Sequence, residues 1–247
     1  MSFIGEIASR PLQAWLERFR LRHGLASAAQ PVDAPEPTIW NRIGDERLLL
    51  HVGCGHTTVE NLAVTGFRGA SWREVRLDAD ESVAPDIVGT MTEMPSVPTA
   101  TVDAVFSSHG IEHLYWHDVP RALGEFRRVL ADDGFVVITC PDLQAAAQMI
   151  AEDRLFDTAY MSASGPITPF DMVYSYRPFV QENPEWMSHH CGFTLSSLVA
   201  VLNEAGFANM LGYRSVGGFD LWVLASKSPR SNEEMTALAA DFLPVIG

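Results

Sequence analysis

A glycine-rich turn, followed at a set distance by an acidic residue, is the first feature of this sequence that could bind a ligand. Gly53-Cys54-Gly55 directly follows a short apolar run, and its missing Cβ atoms let a ligand approach the backbone closely. Asp78 lies 23 residues after Gly55, at the end of the next apolar run. A carboxylate there can accept both ribose hydroxyls of an adenosine-containing cofactor. The alternative is that Asp78 only caps a turn.

Histidines that titrate near neutral pH follow a later apolar run. His109 and His113 come at the carboxyl end of a predicted strand, where doubly wound sheets bind ligands. Either imidazole could take a proton from a substrate, so we predict them as general bases. The alternative is that Glu112 and His113 only brace the loop through hydrogen bonds.

The spacing of His109, His113 and His117 also raises the question of a metal site, because residues four apart share a helix face. Gly110 and the position directly after a strand argue against one continuous helix. His51, Cys54 and His56 are better explained by a turn. We therefore predict that the chain has no metal site.

The segment of residues 154–190 is rich in proline and aromatic residues and has no clear periodicity. Its aromatic content argues against disorder, and a long irregular stretch in a compact domain usually has a function. His189 and His190 end the segment and are further base candidates, while Tyr174 and Tyr176 could shape a substrate pocket. The alternative is a lid whose aromatic side chains pack on one another.

Short apolar runs alternate with helical patterns along the rest of the chain, which predicts an α/β fold with a doubly wound, mostly parallel sheet. Strands are predicted at residues 48–52, 75–77, 87–88, 102–106, 135–139, 209–216 and 220–225. Helices are predicted at residues 119–130, 143–152 and 195–205, and a capping box at Ser231 starts a last helix. Asp132-Asp133-Gly134 predicts a turn, and Gly217-Gly218 predicts a hairpin. The poor periodicity of residues 56–71 predicts that the first crossover helix is short or missing.

The domain organisation predicted from these patterns has four parts. Residues 1–38 form an amphipathic helix (residues 3–23) and a linker (residues 26–37), residues 39–153 the ligand-binding core, residues 154–190 the insertion or lid, and residues 191–247 the rest of the core. The N-terminal helix is expected to pack on the body or over the active site. Its arginine-rich face leaves a membrane-surface or partner-binding helix as the alternatives.

Composition limits the partners. The chain has 17 basic and 31 acidic residues, a net charge of −14, which disfavours binding to a phosphate backbone. The three scattered cysteines, Cys54, Cys140 and Cys191, predict a reduced protein in the cytoplasm. We find no signal peptide and no apolar run that could span a bilayer. The oligomeric state stays open between a monomer and a homodimer.

An ordered set of motifs resembles the class I S-adenosylmethionine-dependent methyltransferases, in particular the type-11 group. The resemblance covers about residues 48–141 and, more loosely, residues 190–227. The matching segments are residues 50–55, 76–80, 86–91, 102–109, 112–114, 125–130 and 134–138. The resemblance is specific because the segments occur in the family's order. The chain departs from the family pattern at three positions, where His51 and Thr90 each replace an acid and Thr57 replaces a third glycine.

The resemblance implies a Rossmann-like seven-stranded sheet with an antiparallel last strand, S-adenosylmethionine as cofactor and S-adenosylhomocysteine as product. In the family the glycine turn wraps the methionine end, the acid holds the ribose, the residues after the third strand flank the adenine, and those after the fourth line the cofactor. The cofactor-binding residues expected on this basis are His51, Gly53, Cys54, Gly55, Asp78, Ala79, Thr90, Met91, Ser107, Ser108 and His109.

The function expected is methyl transfer to a small molecule or biosynthetic intermediate, with His109, His113 and His190 as the catalytic candidates. Two alternatives stay open: a catalytically silent cofactor-binding or scaffold protein, and a non-methylating enzyme that uses the same cofactor. A nicotinamide-dependent dehydrogenase is disfavoured because the spaced GxGxxG pattern is absent.

Overall fold

The computed structural model describes residues 38–62, 64–215, 217 and 219–244. The chain divides into two units, Met1–Asn41 and Arg42–Gly247. In the first unit, the described residues hold one 3-10 turn, Thr38–Trp40. The helix predicted for residues 3–23 and the linker predicted for residues 26–37 lie outside the described residues. In the part of the chain that the structure describes, no helix is long and apolar enough to cross a membrane.

The second unit is built on a seven-stranded sheet. The described strands are β1 Arg47–Val52, β2 Trp72–Asp78, β3 Ile87–Val88, β4 Val102–Ser108, β5 Leu130–Pro141, β6 Tyr160–Ser162, β7 Gly165–Ile167, β8 Asn209–Arg214 and β9 Asp220–Ser226. The order in the main sheet is β3-β2-β1-β4-β5-β9-β8, and β6 pairs with β7 alone. Strands β1 to β5 pair in parallel, and β9 is antiparallel to both of its neighbours. The predicted Rossmann-like sheet with one antiparallel strand is confirmed.

Helices connect the strands, and four of the seven described helices begin at a residue whose side chain caps them. They are α1 Val119–Val129, α2 Leu143–Ala151, α3 Pro169–Tyr174, α4 Arg177–Glu182, α5 Pro184–Met187, α6 Leu195–Glu204 and α7 Asn232–Phe242. Thr168, Thr194 and Ser231 each form a capping box, in which the side chain accepts a hydrogen bond from the N3 amide. Asp142 caps α2 by accepting hydrogen bonds from Gln144 and Ala145. The predicted capping box at Ser231 is therefore confirmed.

Strand β5 differs from the prediction at its start. It begins at Leu130, because Val102 pairs with Leu130 before the register shifts and Ala104 pairs with Phe135. The residues predicted as a turn, Asp132-Asp133-Gly134, thus lie inside β5 as an irregularity between these two pairs. A Cβ on Gly134 would lie only 3.0 Å from the carbonyl oxygen of Ala131, which explains the glycine.

The first crossover connection has no long helix. Between β1 and β2 the described residues contain only a 3-10 turn, Val59–Asn61, so the prediction of a short or missing helix is confirmed there.

The insertion of residues 154–190 is ordered as the β6–β7 hairpin followed by α3, α4 and α5. Proline occupies the first turn of each of these short helices, where its missing N–H costs nothing.

The largest described core cluster fills the face of the sheet covered by α7. Phe67 lies at its centre and contacts the rings of Trp72, Phe135 and Phe242 at centroid distances of 5.1, 6.2 and 4.7 Å. Helix α7 approaches the loop before β2 so closely that a Cβ on Gly66 would lie 2.2 Å from the carbonyl oxygen of Asp241. Helices α1 and α6 also pack on the sheet, and ligands of such sheets bind at the carboxyl ends of the parallel strands.

Candidate functional site

The glycine turn after β1 has the backbone conformation that its glycines allow. Gly53 and Gly55 have φ angles of +66° and +52°, in the left-handed region that favours glycine. The amide of Gly53 donates a hydrogen bond to the carbonyl oxygen of Leu77 at 2.9 Å, which fastens the turn to β2. The turn therefore lies at the carboxyl edge of the sheet, where backbone can be approached closely.

Asp78 stands beside this turn at the end of β2. Its Oδ2 accepts a hydrogen bond from the Gly55 amide at 2.8 Å, and its Oδ1 accepts one from the Asp80 amide at 2.9 Å. Each carboxylate oxygen can accept two hydrogen bonds, so acceptor capacity remains on both. The geometry is thus compatible with both interpretations of Asp78. Its carboxylate caps the turn, and the same oxygens can still accept hydrogen bonds from a ligand.

His51 lies beneath the turn and is only 1% exposed. Its Nδ1 contacts Oε1 of Glu74 at 2.7 Å, while Oε2 of Glu74 accepts a hydrogen bond from the Val59 amide at 3.2 Å. Cys54 is also buried, and burial raises the pKa of its thiol to about 11. The side chains of His51 and Cys54 can therefore affect cofactor binding only indirectly, by supporting the loop after β1.

The remaining predicted cofactor residues come from the ends of β3 and β4. The methyl group of Met91 would lie 3.6 Å from a Cβ on Gly53 and 3.3 Å from one on Gly110, so Met91 bridges the two loops. Ser107 is buried, and its hydroxyl has no hydrogen-bond partner among the described residues. Thr90 is exposed and contacts Thr92 through its hydroxyl at 3.1 Å, and Ala79 and Ser108 are half-buried.

His109 has a strained backbone at the carboxyl end of β4, with a φ of +50°. Its Nδ1 lies 3.4 Å from Oε1 of Glu112, and its Nε2 lies 3.5 Å from Oδ1 of Asp220. Burial alone would lower the pKa of His109, but the contact with Glu112 and the charge of Asp220 together hold it above its ordinary value of 6.5. The side chain stays 44% exposed, so it can be reached from solvent.

Asp220 was not predicted from the sequence. It begins β9, where it pairs with Pro141 at the end of β5. Burial raises the pKa of Asp220 to about 6, against the opposing effect of His109. The only signal in the sequence was an acid at the start of a strand, and its place beside His109 follows from the antiparallel pairing, which local patterns do not reveal.

Glu112 is the centre of a second group of polar side chains. It is 1% exposed, and Nε2 of His189 lies 4.0 Å from its Oε1. The rings of His113 and His189 contact each other at a centroid distance of 4.9 Å. Burial would raise the pKa of Glu112, but His109, with His113 and His189, holds it below its ordinary value. Glu112 and His113 lie in the turn Ile111–His113, and His189 lies at the end of the insertion.

The insertion closes over this group. The amides of His190 and Cys191 both donate to the carbonyl oxygen of Glu112, at 2.9 and 3.2 Å, and the His190 ring stacks on Tyr115 at 4.2 Å. A cavity of about 240 Å³ results, and Glu112 and His189 stand in its wall. The other lining residues are Pro141, Leu143, Met172, Val173, Tyr174, His190, Cys191 and Gly192.

The two tyrosines predicted to shape a pocket have different places. Tyr174 lines the cavity, whereas the hydroxyl of Tyr176 donates to the carbonyl oxygen of Ser164 and holds the β6–β7 hairpin. His117 is 78% exposed and contacts Asp118, away from the group around Glu112. The structure thus brings His189 and His190 to the cavity, His113 against the ring of His189, and His109 to its neighbour Asp220.

Comparison with protein families gives one match to this region. Residues 50–138 match the family model described as a methyltransferase domain. The matched span runs from β1 to the middle of β5 and so contains the glycine turn, Asp78 and His109. No curated protein sequence matches the chain.

Solved structures are similar to this chain, and one of them reaches a TM-score of 0.50. The CMeT domain of the citrinin polyketide synthase matches with a TM-score of 0.50 and 12% identity over 75% of this chain, which spans 47% of that chain's length. A 1,6-didemethyltoxoflavin-N1-methyltransferase from Burkholderia thailandensis, with bound S-adenosylhomocysteine, has a TM-score of 0.47 and 14% identity, covering 92% of this chain and 94% of its own. An S-adenosylmethionine-dependent methyltransferase from Mesorhizobium loti has a TM-score of 0.45 and 18% identity. The match covers 77% of this chain and 95% of the methyltransferase.

Proposed function

Because residues 50–138 match the family model described as a methyltransferase domain, we propose that this chain transfers a methyl group from S-adenosylmethionine to a small molecule. When bound, S-adenosylmethionine supplies a methyl group on a positively charged sulfur, which is its own leaving group. The residues of the chain must then hold the cofactor, align the acceptor and exclude water. Each of these tasks has a candidate in the described structure.

The residues at the edge of the sheet fit the cofactor. The left-handed turn of Gly53 and Gly55 exposes backbone without side chains, and Asp78 keeps free acceptor positions for hydroxyl groups. The buried Ser107 hydroxyl, which has no partner among the described residues, is a further polar atom that a ligand can satisfy. We assign the ribose to Asp78 and the neighbouring cofactor groups to the turn and to Ser107.

The observation that carries the proposal of a small acceptor is the cavity beside this edge. Its volume of about 240 Å³ suits a compact molecule, since drug-sized ligands occupy pockets of roughly 300–1,000 Å³. Leu143, Met172 and Val173 give it an apolar lining, and the insertion covers it. These side chains would align the acceptor and keep water away from the transfer.

Histidines near the cavity keep the roles predicted for them. A base is needed only if the acceptor is a weakly acidic group. His109, His113 and His190 remain the predicted bases, and His109 has the exposed ring and the strained backbone of a residue held for function. Our proposal of methyl transfer holds with or without proton removal.

Charge and cysteine chemistry support the wider setting of the proposal. The net charge of −14 disfavours a nucleic-acid acceptor. Cys54, Cys140 and Cys191 are all free thiols, as is expected in the cytoplasm. We place the activity there and propose no partner beyond the small acceptor and, if the chain associates, a second copy of itself.

Mass spectrometry of the cofactor after incubation with pools of small acceptors tests the proposal. We expect acceptor-dependent conversion of S-adenosylmethionine to S-adenosylhomocysteine, with a mass gain of one methyl group on the acceptor. Val173→Trp, which fills the cavity, should raise the KM for the acceptor, while Met161→Trp on the exposed face of the insertion should not. Cofactor binding without any turnover would favour the silent scaffold instead.

A further inference from the structure

We propose that Glu112, His113 and His189 form a binding site for a divalent transition-metal ion in the wall of the cavity. One possible ligand atom from each of these residues lies within 4.8 Å of the others. Nitrogen and oxygen ligands of this kind are used by zinc and its first-row neighbours. The site differs from the set of His109, His113 and His117 that the spacing of the sequence suggested, and it replaces our expectation that no metal is bound.

The first observation behind the site is the carboxylate of Glu112. It is 1% exposed, and neither oxygen accepts a hydrogen bond from any described residue. A buried carboxylate in this position is costly, because the contacts with His109 at 3.4 Å and His189 at 4.0 Å replace only part of the water that it has lost. Both oxygens of Glu112 can therefore accept a bound cation as a further partner.

The second observation is the orientation of the two imidazoles. Nδ1 of His113 lies 3.1 Å from the carbonyl oxygen of Ser188, and Nδ1 of His189 lies 3.0 Å from the carbonyl oxygen of Met172. A carbonyl oxygen can only accept, so each Nδ1 must carry the proton and donate it. In the neutral rings both Nε2 atoms then have free lone pairs. Histidines that bind metals usually have their other nitrogen fixed by a carbonyl in this way.

The geometry of the group suits an ion with an open coordination position. Ligand atoms on a tetrahedral ion with bonds of about 2.1 Å lie about 3.4 Å apart. The present separations reach at most 4.8 Å, so they must shorten by up to about 1.4 Å on binding. Two histidines and one glutamate are also the protein ligands of several catalytic zinc sites, which keep a fourth position for water or substrate. Because Glu112 and His189 line the cavity, that position faces the space of the acceptor.

A protonated histidine is the competing way to balance the charge of Glu112. His109 is the candidate, since its Nδ1 lies 3.4 Å from Oε1 and its Nε2 faces Asp220. That arrangement compensates Glu112 from one side and leaves Nε2 of His113 free for its predicted role as a base. A metal ion satisfies all three residues at once, and the two arrangements predict opposite results in a binding experiment.

The experiment is a titration of the full chain, freed of metal by chelation, with Zn²⁺ followed by calorimetry and with Co²⁺ followed by visible absorption. It uses no cofactor and no acceptor, so its outcome is independent of the proposed methyl transfer. We expect one ion per chain and cobalt absorption bands typical of four or five ligands. Elemental analysis of the bound ion after gel filtration gives the stoichiometry directly.

Variants locate the ion. Glu112→Gln keeps the shape of the side chain and removes its charge, and it should weaken Zn²⁺ binding by about 10–100-fold or more. His189→Gln should do the same, while His117→Gln, at an exposed histidine outside the group, should bind Zn²⁺ like the unchanged chain. Without metal, Glu112→Gln should fold with a somewhat lower melting temperature, because the contact between Glu112 and His109 loses its charge.

Two results would overturn the proposal. One is that the unchanged chain binds neither ion at concentrations up to about 100 μM. The other is that Glu112→Gln and His189→Gln bind Zn²⁺ as tightly as the unchanged chain. Either result would assign the charge balance of Glu112 to His109 instead.

Discussion

The backbone amide of Gly55 donates a hydrogen bond to the carboxylate of Asp78 at 2.8 Å, and so joins the turn after β1 to the end of β2. The two residues are 23 positions apart in the sequence, and the parallel pairing of β1 with β2 brings them together. The same carboxylate is the one that we assign to the ribose. Asp78 therefore shapes the turn, and in our proposal it also binds the ribose, so a change at this residue should affect cofactor affinity more than folding.

Glu74→Ala should reduce both stability and cofactor affinity. It removes the partner of the buried His51 ring and the acceptor of the Val59 amide, which together hold the loop after β1. Losing the partner of a buried polar group costs about 1–3 kcal/mol. Denaturant unfolding and calorimetry with S-adenosylhomocysteine should both show the loss. Glu60→Ala, at an exposed glutamate of the same loop, is the control and should change neither.

Gly66→Ala should destabilise the fold, whereas Gly124→Ala should stabilise it. A Cβ on Gly66 would lie 2.2 Å from the backbone oxygen of Asp241 and 2.8 Å from the ring of Phe242, so α7 must move away from the core. Overpacking of this kind costs about 1–3 kcal/mol. Gly124 lies exposed within α1 with nothing within 4 Å of its Cβ position, and alanine is favoured there by up to about 1 kcal/mol. Equal melting temperatures of the two variants would contradict the packing described here.

The insertion should lose protection against hydrogen exchange in acid. Burial alone would raise the pKa of Asp171, but hydrogen bonds from Arg177 and Thr168 outweigh it and hold the pKa below the ordinary value of 3.8. The charged carboxylate thus stabilises the folded state above pH 3.8, and this contribution is lost as the pH falls through the lower pKa of the folded state.

Hydrogen exchange across residues 160–187, measured between about pH 2 and pH 6, checks this expectation. Asp171→Asn should remove most of the pH dependence in α3 and α4 and lower their protection at pH 6. Asp157→Asn, which alters an exposed ion pair with Arg154, should leave the profile almost unchanged. A profile that is flat in the unchanged chain would show that Asp171 does not hold the insertion.

The main sheet was predictable because its signals are local. The apolar run of β1 is buried throughout, as strands covered on both faces must be, and the capping box at Ser231 starts a helix in the sequence and in the structure. The structure of the insertion was missed although one local signal was present. Thr168 and Asp171 have the spacing of a capping box, and they do form one at the start of α3.

The candidate site was only partly predictable, because its groups meet through long-range contacts. Asp220 reaches His109 through the pairing of β9 with β5, and His189 reaches Glu112 by the folding back of the insertion. Neither contact leaves a periodic trace in the sequence. The roles predicted for His109, His113 and His190 as bases, and for the cofactor residues, stay predictions that mutagenesis must decide.

Calorimetric titration with S-adenosylhomocysteine tests the central claim most directly, with Asp78→Ala and Asp80→Ala as matched variants. Hydrogen bonds to a charged group contribute about 1.5–3 kcal/mol each, so Asp78→Ala should weaken binding by at least about tenfold. Asp80 accepts only a local hydrogen bond from the Ser82 amide, and Asp80→Ala should bind nearly as the unchanged chain does. We predict binding of one S-adenosylhomocysteine per chain and none of NAD. Failure of the unchanged chain to bind S-adenosylhomocysteine, or equal affinity in Asp78→Ala, would contradict the account.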